Sequence, residues 1–185
     1  MQKKEHVILV DRSDNQVGLE EKLKAHELGL LHRAFSVFIF RKKDSQMQLL
    51  LQQRAKRKYH CGGLWANTCC SHPREGEDVI SAGKRRLSQE MGIDIDSLKE
   101  VGTFMYKAEF ENGLTEHEID HVLIGKLGVS GCEDINFNKN EVESVRWISL
   151  QDLDKAFAES PEIFTPWFKP AFALIKKQDL DKLFE

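Results

Sequence analysis

The sequence predicts an α/β (α+β) fold in which a mixed β-sheet is sandwiched between helices. Short strand-like apolar runs fill most of the chain, one strongly amphipathic helix interrupts them, and helical segments return at the end. No internal repeat, low-complexity tract or Pro/Gly/Ser linker divides the 185 residues. A single domain over residues 1–185 is therefore expected, long enough for a sizeable core.

Val7–Val10 is a short strand, followed by a polar turn through Asp11–Asn15. Ala34–Arg41 and Met47–Gln53 read as two strands of a hairpin joined by "KKDSQ". From Glu77 to Met91, Ile80, Leu87 and Met91 share one helical face with the small Gly83. Glu77 and Asp78 open that helix, Lys84, Arg85 and Arg86 follow, and Gly92 closes it. Strands are expected at Val101–Phe110, Glu116–Leu127 and Ser144–Ile148, then helices at Leu150–Glu159 and Trp167–Phe184.

At 41% hydrophobic and 31% charged residues, the composition is that of an ordinary globular protein. A net charge of −3 argues against nucleic acid or an anionic membrane as the main partner. The longest apolar run, Ala34 to Phe40, suits a buried strand and falls far short of a membrane span. The start "MQKKEHVILV" has neither a signal-peptide core nor an Arg-rich transit pattern, so a cytoplasmic location is expected. Cys61, Cys69, Cys70 and Cys132 contain no CxxC pair, and sequence neighbours rarely bridge, so free thiols are expected.

Three constellations carry chemistry. His26 and His32 lie in "KAHELGLLHRAF" and His72 follows the paired thiols in "NTCCSHP". In "TEHEIDH", Glu116 and Glu118 alternate along a strand and share a face, with His117 on the other. Parallel carboxylates repel unless the site is wet, shares a proton or holds a cation. Three imidazoles with two carboxylates would suit Mn, Fe or Zn, and Mg less typically. Taken singly, each histidine fits an ordinary polar role better than that of a ligand. The run "RAKRK", Arg54 to Lys58, is either a solvated surface or a clamp for a compact dianion such as diphosphate. With only Tyr59 and Trp65 nearby for stacking, it is a poor nucleic-acid surface.

The helix is similar to the Nudix motif, Gly-x5-Glu-x7-Arg-Glu-U-x-Glu-Glu-x-Gly-U with U apolar, aligned without a gap from Ser71. The motif's three late glutamates cluster on one helical face to hold metal, but here those places are Arg86, Gln89 and Glu90. A hydrolase metal cluster is not expected from one carboxylate, and Glu90 can also simply pair with Arg86 one turn away.

Together, "NTCCSHP", "TEHE", "AHE-x4-LHRAFSVF" and "TPW" resemble the type I isopentenyl-diphosphate isomerase family, whose members have a Nudix fold. The resemblance runs from about "EHVILV" to "FTPWF" and implies Cys70 as catalytic cysteine, with Cys69 its variable neighbour. It implies a metal site of His26, His32, His72, Glu116 and Glu118, holding Mn2+ or another divalent metal such as Zn2+. Glu90 is implied to serve a Mg2+ bound with the substrate diphosphate. Lys22, Arg54 and Lys58 are implied as diphosphate contacts, Tyr106 and Trp167 as active-site aromatics. The stretch "KYHCGGLW" departs from the family's frequent Pro-Gly step, which bears on loop shape and not on chemistry. The implied reaction moves a double bond through a tertiary carbocation, so it needs two proton-transfer groups in a dry pocket. Glu118, helped by Tyr106, is expected as the acid and Cys70 as its counterpart, with the forward direction left open. Trp167 would offer a ring face to the cation, worth ~2 kcal/mol when desolvated. The expected partner is a prenyl diphosphate, with no nucleic acid, membrane or obligate protein partner. A Nudix diphosphate hydrolase and a non-catalytic metal- or anion-binding module are the rivals.

Overall fold

The structure, a computed structural model, describes residues 5–128 and 135–183, so Cys132 lies outside the described residues. Its organising strand is β3 (His32–Lys43), whose residues 34–40 are all buried. A strand covered on both faces tolerates a continuous apolar run, which is why "AFSVFIF" shows no polar alternation. β8 (Thr115–Lys126) runs parallel to β3, in register from His32 beside Glu118 to Phe40 beside Lys126. β7 (Lys99–Glu109) pairs antiparallel on the far edge of β8.

The other edge of β3 is shared. β1 (His6–Val10) meets it at His32, having formed a hairpin with β2 (Gln16–Glu21). β6 (Cys69–Ser71) takes Phe35–Val37, and β4 (Gln46–Arg54) takes Phe40–Lys43. Between β6 and β4 no strand pairs with β3, so Thr68 fills the opening. Its Oγ1 accepts from the Ile39 amide at 2.9 Å and donates to the Leu50 carbonyl at 2.6 Å. Along its other edge β4 pairs with β9 (Val142–Ser149), and near its end it also pairs with the short β5 (Trp65–Ala66).

The alternation of strand side chains gives the sheet two cores. Phe38, Phe40, Val122 and Ile124 pack on one face against Leu153 and Phe157 of α3 (Leu150–Glu159) and Phe168 and Phe172 of α4 (Phe168–Ile175). Val37, Ile39 and Leu123 pack on the other face against Ala82, Leu87 and Met91 of α2 (Val79–Met91). The fold is the mixed sheet between helices that the sequence predicts.

Differences are local. α2 starts at Val79 because Asp78 is its N-cap, accepting from the Ile80 and Ser81 amides, while Glu77 leaves the helix to grip Arg85 with two 2.7 Å bonds. The terminal helix expected over Trp167–Phe184 is broken. α4 ends at Ile175, a turn follows, and α5 (Leu180–Leu183) starts after Asp179, which accepts from the Lys182 amide; Phe184 lies outside the described residues. The short α1 (Lys22–Leu28) was not foreseen, having only about two turns with Leu23 and Leu28 exposed.

Gly92 ends α2 at φ +64°, where a Cβ would lie 2.5 Å from the Asn136 carbonyl oxygen; Gly76 has a similar φ of +72° with open space around it. Gly76→Ala is expected to cost about 1 kcal/mol from backbone strain alone. Gly92→Ala adds a backbone clash, for a total of roughly 3 kcal/mol. Urea midpoints check this, and equal losses at the two positions would contradict the packing described for Gly92.

Candidate active site

Strand register assembles the cleft. His32, Glu118 and Tyr106 are mutual neighbours across β3, β8 and β7, so their side chains emerge on one face. The Tyr106 hydroxyl donates to Glu118 Oε2 at 2.5 Å. Glu118 Oε1 lies 3.3 Å from His32 Nε2 and 2.9 Å from His72 Nε2, and these two imidazole nitrogens are 3.2 Å apart. His26 reaches the same point from α1, whose end is capped by Gly29 in the left-handed conformation. His117, on the opposite face of β8, donates from Nδ1 to the Gly29 carbonyl and so pins α1 in place.

The outer nitrogens decide what the inner ones can do. His26 Nδ1–H donates to the Lys22 carbonyl at 2.6 Å and His32 Nδ1–H to the Leu30 carbonyl at 2.8 Å. A neutral imidazole fixed in this way carries its lone pair on Nε2. Buried His26 Nε2 and Glu116 Oε2 face each other at 3.5 Å, and neither has a hydrogen-bond partner. Lone pairs and carboxylate oxygens therefore converge with few protons between them, an arrangement that a divalent cation satisfies. The ligand atoms of His26, His32, His72 and Glu118 lie within 4.8 Å of one another, and Glu116 groups with His26 and His60. Burial, and then His32, push the His72 imidazole well below its ordinary range. Burial would raise the Glu118 carboxyl, but the adjoining His32 ring and the hydrogen bond from Tyr106 help hold it down at about 2. Neutral imidazole and ionised carboxylate are the states that ligate metal.

The adjacent thiols part company. In β6, Cys69 stands opposite Val37 and Cys70 opposite Ser36, so they point to opposite faces of the sheet. Cys69 is packed in the α2-side core, whereas Cys70 lines the cleft. The Cys70 thiol donates to Asn67 Oδ1 at 2.9 Å and its sulfur accepts from Trp167 Nε1–H at 3.1 Å. Burial pushes it up to about 12, so it rests as a protonated thiol. Ser36 Oγ lies 3.7 Å from the same sulfur and donates to Asp120 Oδ2 at 2.7 Å. Burial, and then the charge of Glu118, push the Asp120 carboxyl well above its usual range. Asn67, Ser36 and Asp120 were not picked out from the sequence. Asp120 was within reach, since it continues the Glu116–Glu118 alternation by one step.

Four cations border this cleft, each beside an oxygen acceptor. Lys22 pairs with Glu5 at 3.2 Å, Lys58 with Glu141, and Arg86 Nε with Glu90 at 3.0 Å. Buried Arg54 donates to the His60 carbonyl and lies 5.3 Å over the Trp167 ring. Glu90 does not border the cleft; it stands behind Arg86, apart from the other proposed site residues. The cleft holds about 50 Å³, and a second cavity of about 600 Å³ shares Lys22, Ser71, His72 and Arg86 with it. Three of these four cations are thus held by carboxylates. No helix among the described residues is long and apolar enough to cross a membrane.

Residues 30–168 match the NUDIX domain. A Photobacterium profundum protein named isopentenyl-diphosphate Delta-isomerase is 51% identical over 166 residues, covering 89% of this chain and 90% of its own. A protein of the same name from Burkholderia multivorans is 48% identical over 164 residues, 89% of either chain. The crystal structure of DR0079 from Deinococcus radiodurans superposes with a TM-score of 0.70 at 18% identity, covering 93% of this chain and 98% of its own. The MutT protein from Methanosarcina mazei gives 0.61 at 16% identity, covering 80% and 96%. These two share the fold.

The two faces of β8 yield a metal test. The purified protein is expected to carry about one divalent transition metal per chain, as a mixed imidazole–carboxylate set does. His72→Ala should lower that content and His117→Ala should not, measured by elemental analysis. Undiminished metal in His72→Ala would remove His72 from the site.

Proposed function

The chain belongs to the isopentenyl-diphosphate Delta-isomerase family and carries its NUDIX domain, and on that premise we propose that it interconverts isopentenyl and dimethylallyl diphosphate. The observation that carries this reading is the presence of Cys70 and the Tyr106–Glu118 pair on one small cleft bordered by cations. Moving the double bond requires a proton added at the terminal carbon and another removed from the carbon two positions along, with a tertiary carbocation between. Glu118, with its hydrogen bond from Tyr106, and Cys70 hold and receive these protons at a carboxylate oxygen and at Sγ. They exchange roles with the direction of reaction. Trp167, tethered to Cys70 through its indole N–H, turns its ring toward the cation, worth ~2 kcal/mol in a desolvated site.

Lys22, Arg54 and Lys58 grip the diphosphate, and Arg86 joins them from α2. Glu90 would serve a Mg2+ bound with the substrate diphosphate if Arg86 released it to pair with the substrate. His26, His32, His72, Glu116 and Glu118 would hold a divalent cation, Mn2+ or Zn2+, which would supply fixed positive charge beside the Glu118 carboxylate. Residues 1–185 act as one catalytic unit in the cytoplasm, where thiols such as Cys61, Cys69 and Cys70 stay free.

Incubation with isopentenyl diphosphate and Mg2+ should yield dimethylallyl diphosphate, whereas release of free phosphate would favour the hydrolase. Cys70→Ala should lower kcat by roughly 10²–10⁴-fold with metal retained, as loss of a general acid–base group does. Cys69→Ala should be nearly silent, and an unimpaired Cys70→Ala would remove the thiol from the chemistry. Replacing both Arg54 and Lys58 by Ala should raise KM more than it lowers kcat, because they touch the non-reacting end of the substrate. An unchanged KM would return them to the surface.

A further inference from the structure

His60 sits on the β4–β5 loop, in the stretch "KYHCGGLW". The loop turns tightly there, with Cys61 at φ +52° and Gly63 at φ +81°. Gly62 allows the turn, because a Cβ on it would lie 2.6 Å from the Lys56 carbonyl oxygen. The result is a buried imidazole fixed on every side. It stacks on Tyr59 at 4.6 Å with 5° between planes, meets Phe110 edge-on at 5.4 Å, and its own carbonyl accepts from Arg54.

One ring nitrogen, Nε2, is in hydrogen-bond contact with Glu116 Oε1, and the other, Nδ1, is buried without a partner. A buried N–H with no acceptor is costly, so the proton belongs on Nε2, where Glu116 accepts it. Glu116 is thereby held by Oε1, and its remaining oxygen, Oε2, is the one that faces His26 Nε2. We propose that His60 is a positioning residue of the metal centre: it clamps one oxygen of Glu116 and leaves the other aimed beside His26 as the ligand atom. The inference rests on the reading of the His/Glu cluster as a metal site. It adds to that site a residue that does not itself bind the ion, because its only partnered nitrogen is occupied by Glu116. Outer partners of metal ligands act in this way, and their loss weakens binding roughly 10–100-fold.

The test uses metal-stripped full-length protein titrated with Zn2+ against a chromophoric chelator. His60→Phe fills the ring's space and cannot donate; His60→Gln can donate to Glu116. His60→Phe should bind Zn2+ roughly 10–100-fold more weakly than the unsubstituted chain, and His60→Gln should recover most of the loss. X-ray absorption of the unsubstituted Zn2+ form should count three imidazoles, those of His26, His32 and His72. Unweakened binding in His60→Phe overturns the proposal, as does a Gln variant no better than Phe. A fourth imidazole overturns it in favour of direct ligation. Should His60→Phe fail to fold, judged by its metal-free thermal melt, the Gln variant and the imidazole count still decide. If the unsubstituted chain binds no Zn2+, the metal reading itself falls and this inference with it.

Discussion

β3 and β8 run parallel with His32 beside Glu118 and Ala34 beside Asp120, and the cleft exists because that register holds. A slip of one residue would turn Glu116, Glu118 and Asp120 into the core beneath α2 and leave the imidazoles facing apolar side chains. The same two strands prevent the slip. Phe38, Phe40, Val122 and Ile124, further along the same face, are buried under α3 and α4. Each such side chain contributes roughly 1.5–3 kcal/mol by leaving water, and all would be displaced together. Apolar packing at one end of the strands thus fixes polar geometry at the other, where isolated charges would be costly to bury.

Alternation also explains how adjacent residues take different tasks. Cys69 belongs to the core and Cys70 to the cleft because one faces α2 and the other faces Ser36. Glu116 and Glu118 face the imidazoles while His117 between them anchors α1. The cations follow another logic. Lys22, Lys58 and Arg86 come from three separate elements and rest on Glu5, Glu141 and Glu90, so the cleft holds its positive charges in place before any phosphate arrives. In the proposed function diphosphate would replace carboxylates as their partner, which would limit the side-chain ordering that binding requires.

Much of this was legible in the sequence, for identifiable reasons. α2 carries its own start and stop signals in Asp78 and Gly92, and the β3 run is too short and too rich in Phe, Val and Ile for another role. The shared face of Glu116 and Glu118 follows from strand period alone. The Glu90–Arg86 pair, one helical turn apart, was also readable, and the structure contains it. What could not be read depends on contacts between distant segments. His60 reaches Glu116 only through a loop whose turn needs Gly62, and Asn67 finds Cys70 only after β6 docks on β3. α1 went unseen because it is short, exposes two leucines, and owes its place to His117 and Gly29.

In the proposed reaction two separate groups on one cleft, a thiol and a carboxylate, carry protons to and from the substrate. Isomerisation in D2O tests it most directly, because each group exchanges its proton with solvent between turnovers. Dimethylallyl diphosphate formed from unlabelled isopentenyl diphosphate is expected to carry deuterium in the newly made methyl group. Product formed at full rate without deuterium there would mean that hydrogen moves directly from carbon to carbon, and would contradict it.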